Sequence, residues 1–256
     1  MPVGDPPDPG EIRALESARA DIDTRIARAC ARASRDPAEV RLVAVSKTVD
    51  ATRLRAAVAA GLTTLGENRV QEAEDKRPTV SGASWELIGP LQSNKARRAL
   101  AAFDRIQTVD SLGLAERLDR LAGEDRPGER YPVLLQVNVD EDPAKAGFDA
   151  DAVAAAIPAL LALPNLRIDG LMTVGRFGAD EAGTRATFRS LMTLSERLRA
   201  ATRPSGAASL GAELSMGMTD DFELAIEEGA TIVRVGRALF GERPHHHDDG
   251  EVDHAH

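Results

Sequence analysis

Histidine is missing from the first 244 residues of this 256-residue chain; all five histidines fall in the last twelve, within "PHHHDDGEVDHAH". That absence removes the Ser-His-Asp triad, the Cys-His pair and most zinc sites from the body of the protein. Cysteine is nearly absent too. Cys30 stands alone, so no internal disulfide can form, as expected of a chain that works in a reducing cytoplasm. Aromatic residues make up only 3%, with one tyrosine (Tyr131) and one tryptophan (Trp85), so the core must be built from Ala, Val, Leu and Ile. No apolar run approaches the length of a membrane span, and "MPVGDPPDPG" lacks the basic and apolar regions of a signal peptide. A net charge of -9 and the lack of a basic stripe with interleaved aromatics argue against nucleic acid as a partner.

Lysine is the fourth scarcity. The chain has four lysines (Lys47, Lys76, Lys95, Lys145) against 28 arginines. An arginine stays charged, whereas a desolvated lysine can shift its pKa and form a Schiff base. Lys47 ends the apolar run "RLVAVSK", which marks it as a lysine chosen for chemistry. Lys95 and Lys145 fall on loops or helix starts, where a secondary role with anionic ligands competes with plain solvated charge. Lys76, in "EDKRP", reads as a surface charge at a helix end, Cys30 as a small core hydrophobe, and Trp85 as packing at the base of a strand.

What is present is a regular alternation. Eight short apolar runs (41–47, 63–68, 85–90, 105–110, 131–138, 166–174, 213–218 and 231–237) are separated by helical patterns such as "DATRLRAAVAAG" and "DDFELAIEEG". Each of these closes on a helix-capping glycine. Continuous Val/Ile/Leu character suits parallel strands covered on both faces. With a further helix over about 11–33, the pattern predicts an α/β fold, a single (β/α)8 TIM barrel spanning 11–243. A doubly wound open sheet is the alternative. Residues 1–10, with four prolines, and 244–256 are expected to be disordered tails.

Barrel chemistry sits at the C-terminal strand ends. Those ends read Lys47, Asn68, Gly89 with Pro90, Asp110, Asn138, Met172 with Thr173, Ser215 to Thr219, and Arg234 with Gly236. The segments "LSMGMTDD" and "VRVGRALFG" follow strands seven and eight, where barrels frequently hold a phosphate. An imine-forming lysine facing a phosphate cradle suits pyridoxal 5′-phosphate (PLP). An arginine such as Arg234, if it faced the pyridine nitrogen, would only donate hydrogen bonds and would weaken the ring as an electron sink.

The segments "AVSKTVD", "LGENRVQEAEDK", "IGPLQSNKAR", "VNVDEDPAKAGF", "LPNLRIDGLMTV" and "LSMGMTDDFELAIEEGATIVRVGRALFG" closely resemble the pyridoxal phosphate homeostasis proteins (the YggS/PROSC family). These are cytoplasmic barrels similar to the N-terminal domain of alanine racemase. The resemblance runs from about residue 11 to 243. It implies that Lys47 holds PLP as a Schiff base and that Ser215 and Thr219 hold the phosphate with the backbone of Gly236 and Arg237. It further implies that Arg234 faces the pyridine nitrogen and that Asn68 lines the pocket. "AKAG" stands where "SKSG" is more usual, 203–212 forms a longer loop than expected, and the His/Asp tail lies outside the motif set.

The implied function is PLP homeostasis and carriage without strong catalysis, with PLP-dependent apoenzymes as candidate recipients and a monomer as the expected state. Two alternatives remain. One is a weak racemase-like PLP enzyme, disfavoured because racemisation needs acid–base groups on both faces and Tyr131 precedes strand five. The other is a class I aldolase using Lys47 directly on a sugar phosphate.

Overall fold

The computed structural model describes residues 6–176, 178–202 and 209–241. Its strands are β1 (Arg41–Val45), β2 (Thr64–Glu67), β3 (Ser84–Leu87), β4 (Arg105–Val109), β5 (Tyr131–Gln136), β6 (Leu166–Met172), β7 (Glu213–Met218) and β8 (Ile232–Val235). They pair in parallel, in sequence order, and β8 returns to β1. The expected barrel is therefore closed, and the open-sheet alternative is excluded. Closure is set by the β1–β8 register, in which Val43 pairs with Arg234 and Ala44 with Val235. This register brings the segment after β8 beside the segment after β1.

The helices are α1 (Pro9–Arg32), α2 (Ala51–Ala59), α3 (Val70–Lys76), α4 (Ala96–Ala102), α5 (Leu112–Asp125), α6 (Ala150–Leu161), α7 (Glu181–Thr202), α8 (Phe222–Glu227) and α9 (Arg237–Phe240). The first starts at Pro9, two residues before the expected 11. Asp8 caps it by accepting from the Gly10 amide, and proline suits a position whose N–H would be unsatisfied. Asp50, Ser111 and Asp149 cap α2, α5 and α6 in the same way. The expected tail 244–256 and most of the long loop at 203–212 lie outside the described residues.

Most of the core lies between strands and helices, where Ala44, Leu65, Trp85, Leu87 and Phe188 pack together. A small inner cluster of Val43, Leu134, Met172 and Ile232 fills part of the barrel. Trp85 and Cys30 are fully buried, as expected of core residues. Tyr131 is buried as well, and its hydroxyl donates to the Phe103 carbonyl oxygen at 2.8 Å. Burial holds the Tyr131 phenol far above its ordinary pKa. It begins β5, at the end of the barrel opposite the strand C-termini.

Candidate PLP-binding site

Four residues after Val43 the chain leaves the barrel, and Lys47 is half-buried at its rim. The next residue, Thr48, adopts φ 66°, a left-handed conformation that a β-branched side chain resists. Asp50 then caps α2, so the β1–α2 connection is short and fixed at both ends. Lys47 and Thr48 line a cavity of about 220 Å³ together with Gly236 and Arg237 from the end of β8. Two of the expected site segments are thus brought together in one concave space.

Thr219 joins them from the β7 side, since the Gly236 amide donates to its Oγ1 at 3.3 Å. Arg237 pairs with Asp220 across the same gap. Gly217 makes this approach possible. It has φ 91°, and a Cβ there would lie 2.6 Å from that of Ala225 and 2.8 Å from the Phe222 Cα. Only glycine lets β7 turn so tightly into α8. Asp221 anchors the turn by accepting the Met218 amide at 2.6 Å; burial raises its carboxyl pKa.

Arg234 is buried inside the barrel. Burial lowers its pKa to about 10, against the opposing pull of Asp221, so it remains a cation at neutral pH. Its Nη2 donates to the Thr173 carbonyl oxygen at 2.8 Å and its Nη1 to Ser215 Oγ at 2.7 Å. Ser215 in turn donates to Gln107 Oε1 at 2.6 Å. The Ser215 hydroxyl therefore faces inward and is occupied with Arg234 and Gln107. In strand β7 Ser215 points into the barrel, while Thr219, just beyond the strand, meets the Gly236 amide. Asn68, half-buried after β2, does not line the cavity; a Cβ on Gly89 would lie 2.3 Å from its carbonyl oxygen, so the two strand ends are pressed together.

Lys76 also departs from expectation. Its side chain is 12% exposed, and Nζ lies 2.7 Å from Glu67 Oε1, 3.1 Å from Glu72 Oε2 and 3.1 Å from the Ser46 carbonyl oxygen. It is half-buried and bonded to the carbonyl of the residue that precedes Lys47. Its side chain runs back along α3, as helical side chains do. The chain's scarcity of lysine was the signal that could have found it. Lys145 donates to Asp140 Oδ2 at 2.8 Å and to the Val174 carbonyl oxygen at 3.2 Å, and Lys95 approaches Gln71 Oε1 at 3.5 Å. Among the described residues no cluster of ligands that could hold a metal occurs, and no helix is long and apolar enough to cross a membrane.

The donor set fits PLP chemically. It offers the Lys47 amine for the aldehyde, the Gly236–Arg237 backbone in the same cavity for phosphate, and the Thr219 hydroxyl beside Gly236.

The family model for the alanine racemase N-terminal domain matches residues 19–244. The chain is 43% identical over 229 residues to a pyridoxal phosphate homeostasis protein of Pseudomonas aeruginosa, covering 88% of this chain and 94% of that one. It is 37% identical to one from Escherichia coli, over 88% and 94%. The structure of PipY from Synechococcus elongatus with PLP bound is 43% identical, with a TM-score of 0.74 over 86% of this chain and 100% of that one. Alanine racemase of Clostridium difficile, at 15% identity, shares the fold, with a TM-score of 0.66 over 81% of this chain and 54% of that one.

Proposed function

The chain belongs to the family of pyridoxal phosphate homeostasis proteins, and from that premise we propose that it binds PLP as a Schiff base on Lys47 and acts in intracellular PLP carriage. The observation that carries the reading is the single cavity shared by Lys47, Gly236 and Arg237, with Thr219 tethered at its edge. The Lys47 amine condenses with the PLP aldehyde: the C=O becomes C=N and one water leaves. Thr219 and the backbone at Gly236 and Arg237 hold the phosphate, with Ser215 holding Arg234 rather than the phosphate. Arg234 presents N–H donors towards the pyridine nitrogen and cannot protonate it into a strong electron sink. Asn68 supports the rim.

Racemisation needs acid–base groups on both faces of the reacting carbon, and among the described residues the tyrosine that could serve one face is out of reach. The one tyrosine, Tyr131, lies at the far end of the barrel with its hydroxyl donated to Phe103. The proposed unit is one barrel over 11–243, a cytoplasmic monomer, with PLP-dependent apoenzymes as recipients.

A transfer assay tests this. Loaded protein mixed with an apo-aminotransferase should restore its activity while amino acids incubated with the loaded protein alone keep their chirality. No restoration, together with rapid racemisation, would contradict the reading.

A further inference from the structure

The two residues flanking Lys47 are tied to one half-buried ammonium, Ser46 directly and Thr48 through Glu72. The Ser46 carbonyl oxygen accepts from Lys76 Nζ at 3.1 Å. The Thr48 amide donates to Glu72 Oε2 at 3.2 Å, and that same oxygen accepts from Lys76 at 3.1 Å. The third proton of the ammonium goes to Glu67 Oε1 at 2.7 Å, where the Ser46 hydroxyl also points, 2.8 Å away. Three N–H groups thus meet three acceptors, an arrangement that suits a point-like ammonium and not a planar guanidinium. In a chain with 28 arginines, a lysine here has a geometric reason.

The arrangement bears on Thr48. Its φ of 66° is unfavourable for threonine and persists only where its surroundings enforce it. The enforcing contact is Glu72, and Glu72 is held in place by Lys76. Glu67 is fully buried and its Oε2 has no hydrogen-bond partner, so its carboxylate depends on the same ammonium. Helix packing alone would not require that the Ser46 carbonyl and, through Glu72, the Thr48 amide be tied to one cation.

We propose that Lys76, through Glu72 and Ser46, is the positioning residue that locks the left-handed turn at Thr48 and so fixes how Lys47 is presented to the cavity. The consequence for the cofactor rests on the PLP reading above; the clamp itself does not.

The test combines Lys76→Met, Glu72→Ala and Thr48→Gly, with PLP affinity read by absorbance and folding checked by circular dichroism. Glycine accepts φ 66° without strain. K76M and E72A should each weaken PLP about tenfold or more, and T48G added to either should recover most of that loss. A structural role alone would lower the melting temperature without a rescue specific to Thr48. Glu72 is half-buried, so E72A carries the test should K76M not fold. In the protein without PLP, hydrogen–deuterium exchange over residues 46–50 should quicken in K76M or E72A. Unchanged exchange together with unchanged affinity, or a loss that T48G leaves untouched, overturns the clamp. Wild-type protein that takes up no PLP overturns the cofactor reading instead, and the exchange result then decides the clamp alone.

Discussion

Ser215 Oγ accepts a hydrogen bond from Arg234 Nη1 at 2.7 Å, with both residues closed to solvent. From this pair a polar chain continues down the barrel axis. Ser215 donates to Gln107, Gln107 Nε2 donates to Glu86, and Glu86 pairs with Arg41 near the start of β1. A guanidinium buried this deeply is tolerated because its donors are met on carbonyl and hydroxyl oxygens. Ser215→Ala removes one of these acceptors. The variant should lose about 1–3 kcal/mol of stability, the usual cost of stranding a buried charged donor, read by urea denaturation. PLP affinity should fall only modestly, because the Ser215 hydroxyl is engaged by Arg234 and Gln107 inside the barrel.

Gly217→Ala tests the turn that carries Thr219. Its Cβ would meet Ala225 and Phe222 at 2.6–2.8 Å in a backbone conformation that alanine disfavours. Strain of about 1–3 kcal/mol is expected from the conformation alone, with α8 displaced from β7. Thermal melts should show the loss, and titration with inorganic phosphate or PLP should show weaker binding.

Asp140 supplies a pH signature. Burial alone would raise its pKa, but hydrogen bonds from Lys145 and Thr187, with the Lys145 charge, outweigh that and hold it below its ordinary value of 3.8. A carboxyl with a depressed folded pKa adds stability that is complete above its unfolded pKa and is lost as pH falls through the folded one. Asp140→Asn should therefore cost about 1–3 kcal/mol at neutral pH. The gap to wild type should close as pH drops below 3.8. Denaturation midpoints measured across that range check the sign; a gap that persisted in acid would refute it.

Much of this architecture was legible because parallel strands covered on both faces read as unbroken Val/Ile/Leu runs. Each of the eight expected runs overlaps a strand, and Lys47, Gly236 and Arg237 share a cavity. What escaped was direction. Ser215 and Thr219 lie four residues apart in one motif, yet the strand turns the first inward and the tight turn at Gly217 carries the second to the rim. Lys76 escaped because a charge at a helix end usually faces water, and its reach back to Ser46 depends on how α3 lies across β2. The start of α1 was hidden by prolines that read as disorder until Asp8 is seen to cap them.

The central claim is that Lys47 is the residue that holds PLP. The most direct measurement is borohydride reduction of PLP-equilibrated protein followed by mass spectrometry of the tryptic peptides, for wild type and Lys47→Ala. The account predicts a phosphopyridoxyl mass on the Lys47 peptide, a visible absorption band that reduction abolishes, and neither in Lys47→Ala. An adduct on Lys76, Lys95 or Lys145 with Lys47 unmodified, or a reducible adduct that survives Lys47→Ala, would contradict it.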